Sequence, residues 1–133
     1  MPRSYLAFLC VIFSAIASAQ DEFSCGELKA NLEIGNCQLE KLEQAERELS
    51  QEYQAMLKLV DPDKAWAKNL RSAQHAWLMF RDAELELLFS CDSRNVEECY
   101  GREYAAGHLW QKTRLTLERL EGLRTIRKER LER

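Results

Sequence analysis

Three sets of residues in this chain of 133 residues could do chemistry: five cysteines, two close pairs of carboxylates, and two histidines. The cysteines are Cys10, Cys25, Cys37, Cys91 and Cys99. None is in C-x2-C spacing, and His75 and His108 lie far from any pair of them, so a zinc site is not expected. Glu84 with Glu86, or Glu97 with Glu98, has the composition of an acid–base pair. Nothing around either suggests burial or a neighbour that would shift a pKa, so both read as solvated helix residues. No glycine-rich phosphate loop, nucleophile elbow or HExxH pattern occurs. No catalytic residue, metal ligand or cofactor is expected.

A fourth set sits inside an apolar stretch. Leu70 to Phe89, LRSAQHAWLMFRDAELELLF, reads as an amphipathic helix with Arg81 and Asp82 in its middle. Gln74, Trp77 and Arg81 fall on one helical line. Arg81 and Asp82 are about 100° apart on a helix, so they should face different partners. Arg81 is expected to reach carboxylates of an adjoining helix near Glu40 or Glu43, and Asp82 a basic side chain of the last helix. Such pairs fix register, because breaking a buried one from one side costs about 3–5 kcal/mol. A structural role is favoured over partner contact, since the polar residues and the apolar stripe share one helix.

The amino terminus has its own chemistry. Arg3 precedes an apolar run, Tyr5 to Ile16, and Ala17-Ser18-Ala19 supplies the small-x-small pattern of a signal peptide cleaved after Ala19. The run is shorter than the ~20 residues that a permanent span requires. Phe8-Leu9 before Cys10 does not suit lipid attachment. The expected organisation is a signal peptide, 1–19, and one domain, 20–133, periplasmic or secreted, with no stable membrane insertion. An exported chain with four remaining cysteines reads as holding two disulfides.

Helical periodicity begins near Asn31, a candidate N-cap, and runs Leu32, Leu39, Leu42, Ala45, Leu49, Tyr53, Met56, Leu57 and Val60 in steps mostly of three and four. Asp61-Pro62-Asp63 breaks it, and Asp61 is expected to cap a second helix. That helix carries Trp66, Leu70, Ala73, Trp77, Phe80, Leu87 and Leu88 on one face. The short junction predicts an αα-hairpin. In that register Trp77 lies level with Ala45 and Ala73 with Leu49. Asn95 and Glu98 resemble a capping box that starts a third helix near Val96, continuing through Trp110, Thr113, Leu117, Leu120, Leu123 and Ile126. The expected fold is all-α: a three-helix antiparallel bundle built on an αα-hairpin and stapled by two disulfides. Spacing favours local bridges, Cys25–Cys37 and Cys91–Cys99. Cys37 and Cys91 are about six residues out of level in the hairpin, roughly 9 Å along the axis, whereas a bridge needs Cα atoms within about 7 Å. The pairing Cys37–Cys99 with Cys25–Cys91 stays open.

The net charge is −3, and −4 once Arg3 leaves with the signal peptide. Residues 20–63 carry eleven acidic and four basic side chains, and residues 112–133 carry eight basic and four acidic. This suits an acidic helix packed beside a basic one, and also a surface that attracts a basic partner. The basic tail, Arg124 to Arg133, is interrupted by Glu129 and Glu132 and lacks aromatics, which argues against nucleic acid.

Ala73-Gln74-x-x-Trp77-x-x-Phe80-Arg81-Asp82 resembles the AQ-x-x-W-x-x-[YF]-R-D core of the LprI-like lysozyme-inhibitor domain. Asn31 to Cys37 is similar to that family's opening T-Q-x-E-M-N-x-C. Leu49 to Tyr53 resembles its L-N-x-x-Y, with Ser50 replacing asparagine, and Leu115-Thr116-x-x-Arg119-x-x-x-Leu123 its closing L-T-x-x-R-x-x-x-L. The resemblance spans Cys25 to Leu123 and marks Tyr53, Gln74, Trp77, Phe80, Arg81, Asp82, Thr116 and Arg119 as motif residues, read here as structural. It departs at Leu85 and near Gln111, where the family has cysteines, so the geometry of the second bridge is not carried over. The resemblance implies an exported inhibitor-type binding protein, not an enzyme, whose partner is a basic protein such as lysozyme. An envelope structural or interaction module with another partner is the alternative. An enzyme acting on cell-wall material rests on compartment alone.

Overall fold

A computed structural model of the chain describes Cys25, Leu28 and residues 30–132. The expected signal peptide, its cleavage after Ala19, and Cys10 lie outside the described residues. Three long helices dominate: α1 (Asn31–Leu57), α2 (Ala65–Leu88) and α4 (Tyr104–Leu131). A single turn, α3 (Glu97–Tyr100), and a 3-10 turn (Gly101–Glu103) lead into α4. No helix among the described residues is long and apolar enough to cross a membrane.

The expected bundle is present. Successive long helices alternate in direction: Arg81 of α2 reaches Glu46 of α1, and Arg119 of α4 reaches Gln74 of α2. Two down-up steps leave α1 and α4 parallel, and these two pack most closely. Arg124 pairs with Glu48 at 3.1 Å, Arg127 pairs with Glu52, and Lys112 lies 3.5 Å from Glu46. The acidic and basic segments are thus neighbours, as their charges suggest, but they run in the same direction. Parallel dipoles side by side repel, and the inter-helix ion pairs offset that.

The hairpin register needs correcting in detail. Ala73 is exposed and does not face Leu49. The inward line of α2 is Ala67, Leu70, Arg81 and Leu85, with Trp66, Gln74 and Trp77 half-buried. Phe80 and Leu87 are 54 % and 69 % exposed, and Leu88 is exposed too, so none belongs to the buried face. The physical reason is the width of the gap. The backbone of α2 stands off from α1, and the long side chains of Trp66, Trp77 and Arg81 span the space that a hairpin packed through alanines would close. The core proper is Leu49, Met56, Leu70, Leu120 and Leu123, with Tyr53, Leu57, Trp66 and Trp77 packed against it. Thr116 is fully buried and satisfies its hydroxyl by donating to the Lys112 carbonyl, 2.8 Å away.

The helix ends also differ from expectation. Ala30, not Asn31, occupies the first cap position, without a side-chain cap bond. Asp61 caps no helix. Its carboxylate accepts from the Asp63 N–H at 2.9 Å, forming an Asx turn inside the connection, and α2 starts later, after Lys64. Val96 occupies the cap position of α3 without a side-chain cap bond; Asn95 Oδ1 accepts from Glu97 N–H at 3.1 Å in an Asx turn just before it, and Glu98 turns away to accept from the Ser93 hydroxyl. The third helix is not continuous from Val96. Gly101 has φ 69°, a left-handed conformation that glycine adopts without steric cost, and it breaks α3 from α4.

Both local bridges form. Cys25–Cys37 ties the arm to the second turn of α1, with Cα atoms 5.8 Å apart, and Cys91–Cys99 closes the α2–α3 loop at 6.0 Å. Each acts mainly by restricting the unfolded chain of a small domain. At the other extreme of packing, Leu120 is almost wholly buried. Leu120→Ala should lower the unfolding free energy by about 2–5 kcal/mol. Exposed Leu117→Ala should change it by no more than about 0.5 kcal/mol. Thermal or denaturant melts followed by circular dichroism check the contrast.

Candidate functional site

The motif residues gather where α2 bridges α1 and α4. Trp77 lies half-buried against the core, with the Arg81 guanidinium 5.3 Å and the Arg119 guanidinium 5.9 Å from its ring centroid. Both distances suit cation–π attraction. Arg119 donates to Gln74 Oε1 at 3.0 Å, and burial lowers its pKa from the usual arginine range. It remains a cation, since arginine does not lose its proton in proteins. Gln74, Trp77, Arg81 and Arg119 therefore form one connected group. Tyr53 packs on the core below it, and Thr116 lies one turn before Arg119.

Arg81 is only 8 % exposed. It donates to Asp82 at 2.9 Å and lies 3.4 Å from Glu46. The expected neighbour near Glu40 or Glu43 is thus Glu46, three residues and about 4.5 Å further along α1. Asp82 pairs with Arg81 itself rather than with a cation of α4. The standoff of α2 leaves Asp82 at the rim, and the flexible Arg81 side chain folds back to meet it. Phe80, the remaining motif residue, points to solvent.

Above this group lies an open cavity of about 550 Å³, lined among others by Arg81, Asp82, Phe89, Tyr104, His108 and Lys112. Its roof is an aromatic cluster that motif reading did not foresee. Phe89 sits 5.5 Å from Tyr100, 5.5 Å from Tyr104 and 5.3 Å from His108, ring centre to ring centre. The Tyr100 hydroxyl donates to the Ser90 carbonyl at 2.5 Å, holding the loop on the end of α2. Gly107 lies beneath the Phe89 ring, where an added Cβ would make ordinary contact at 3.9 Å. The spacing Tyr100, Tyr104, His108, every fourth residue, was the available signal. Burial is the main cause that lowers the His108 pKa; Lys112 adds to it, and Asp82 opposes.

Chemically, this arrangement positions helices. The cations face a ring, an amide or carboxylates, and Glu86, Glu97 and Glu98 are exposed. Among the described residues no group of three or more His, Cys, Asp or Glu side chains could hold a metal.

The family model described as "Lysozyme inhibitor LprI" matches residues 25–123, from the first disulfide through α1 and α2 and into α4. The chain belongs to the LprI lysozyme-inhibitor family. Comparison with curated proteins and with solved structures finds no match. The LprI match stops before Arg124, yet Arg124, Arg127 and Arg130 tie the end of α4 to Glu48, Glu52 and the Trp66 ring. Two disulfides and an LprI domain are both features of extracellular or periplasmic proteins. At Leu85, where the resemblance places a cysteine, this chain has a buried core residue.

Two outcomes follow for this centre. Arg81→Ala removes a nearly buried cation, but its partners are half-exposed, so the loss of stability should be about 1–2 kcal/mol rather than the full buried-pair value. A thermal melt measures it, and any partner binding should persist at temperatures where the variant is folded. His108 is more easily deprotonated folded than unfolded, so between its lowered folded pKa and about 6.5 the unfolded chain binds more protons. Stability from this residue is complete above pH ~6.5 and falls as pH drops through that window. Melts of the protein and of His108→Gln from pH 7 to 5 should show a smaller decline in the variant.

Proposed function

We propose that this LprI-family chain is an exported inhibitor-type binding protein whose partner is a basic lysozyme, and that it catalyses no reaction itself. The family match across residues 25–123 carries the reading. The distribution of charge supports it. Glu46, Glu48 and Glu52 of α1 are occupied by basic side chains of α2 and α4. Exposed carboxylates without such partners remain at the other end of the bundle, Glu33 and Glu40 of α1 and Asp92 and Glu97 around the second disulfide, with Glu98 beside them bonded only to Ser93. A negative surface of this kind speeds encounter with a basic protein and orients it. We assign the mature protein to the periplasm or the extracellular space, with cleavage after Ala19. The motif residues Tyr53, Gln74, Trp77, Arg81, Asp82, Thr116 and Arg119 serve the scaffold in this reading, and the disulfide end supplies the contact.

The second reading, an envelope module with another protein partner, draws on the same acidic end and differs only in what docks there. A turbidity assay separates them. The mature protein should slow lysis of cell-wall substrate by lysozyme at micromolar excess, more strongly at low than at moderate salt. Glu97→Lys with Glu98→Lys should weaken inhibition several-fold without lowering the melting temperature. No inhibition at either salt overturns the lysozyme reading.

A further inference from the structure

Where the first turns of α1 meet the start of α4, the two helices do not close. A hollow of about 290 Å³ lies between them, walled by Ile34 and Gly35 of α1 and by Ala105, Ala106 and Gly107 of α4. Residues this small leave space rather than fill it, and a Cβ added at Gly35 would meet nothing within 4 Å. The volume is close to the lower bound for small-ligand sites and gives room for one compact molecule. This hollow shares no lining residue with the cavity under the aromatic cluster.

One polar side chain is enclosed in the wall. Gln38 lines the hollow and is only 9 % exposed, and its Oε1 is buried with no hydrogen-bond partner among the described residues. A buried acceptor left in that state costs free energy until a donor reaches it. The Cys25–Cys37 bridge ties down the turn of α1 beside it. The last torsion of glutamine is soft, so Oε1 can turn to the hollow. Water suits the position poorly. An ordered water needs several polar partners, and Ile34, Gly35, Ala105, Ala106 and Gly107 offer no side-chain donor or acceptor. The donor that fits is an N–H on a compact, mostly apolar body, as in a secondary amide that carries a methyl group. The rim selects the rest of the molecule. Trp110 is 50 % exposed there, and its ring face attracts the C–H bonds of a saturated ring. Arg102 and Glu103 are exposed at the same rim and supply donors and acceptors for hydroxyl groups. Methyl amide, saturated ring and hydroxyls are combined in an N-acetylated amino sugar.

We propose that this hollow is a binding site for one N-acetylated amino sugar. The acetamido N–H donates to Gln38 Oε1, the methyl group takes the space before Gly35, and the sugar ring rests on Trp110. The site stands independently of whether lysozyme is the partner.

Titration of the isotope-labelled mature protein with N-acetylglucosamine, followed by heteronuclear NMR, tests the site. Saturable shifts are expected at Gly35, at Gln38 and at the Trp110 indole N–H, in the millimolar range. Glucose, which lacks the acetamido group, should bind about tenfold more weakly or worse. Gln38→Leu removes the acceptor at similar volume. It should weaken sugar binding about tenfold yet melt at the same temperature or higher, because an unanswered polar group is gone. Gly35→Leu fills the hollow and should abolish binding without lowering the melting temperature, since glycine is a poor helix former. Circular dichroism melts report both temperatures. No shift at the highest sugar concentration reached overturns the proposal. So does glucose, or N-methylacetamide alone, binding as well as the N-acetylated sugar. Binding retained in Gly35→Leu overturns the location. A Gln38→Leu variant that melts well below the parent overturns the role of Gln38, because the fold itself then satisfies the amide. Lysozyme is absent from these titrations, so they bear on this site alone.

Discussion

The placement of α2 is the constraint on which the rest depends, and it is set by side chains too long for ordinary helix packing. Trp77 fills the gap between α2 and the α1–α4 pair, and Arg81 and Arg119 meet its ring. Arg81 also meets Asp82 of its own helix and Glu46 of α1, and Arg119 donates to Gln74 of α2. One aromatic ring and two cations thus join three helices. The arrangement tolerates a wide gap because guanidinium groups can be desolvated against π-faces, amides and carboxylates together.

Holding α2 away from α1 decides what the other charges do. The acidic residues of α1 between Glu46 and Glu52 are drawn into pairs with α2 and α4, and the basic end of α4 lies along them. Much of the charge asymmetry of the chain is thereby spent on assembly. Exposed carboxylates remain at the end where the disulfide-closed loop, the aromatic cluster and the start of α1 meet, among them Glu33, Asp92, Glu97 and Glu98. The two bridges stabilise that same end, where α3 is a single turn and Gly101 interrupts the helix.

The motif that ties this chain to the LprI family divides by direction. Gln74, Trp77 and Arg81 point inward and build the joint, while Ala73, Phe80 and Asp82 face outward. A single run of residues thus serves both the scaffold and an outer face of α2.

The sequence by itself determined the elements. Steps of three and four residues located three helices, the Asp-Pro-Asp break separated the first two, and cysteine spacing selected the local bridges, because these signals arise within a few turns of one segment. Motif spacing also carried the family. Only the tertiary structure decided which apolar residues are core. Periodicity marks a stripe but not the distance to its neighbour, so the standoff of α2 moved Ala73, Phe80 and Leu87 to the surface and shifted the partner of Arg81 to Glu46. The cluster of Phe89 with Tyr100, Tyr104 and His108, and the parallel pairing of α1 with α4, likewise depend on residues brought together across a chain reversal, which no local pattern encodes.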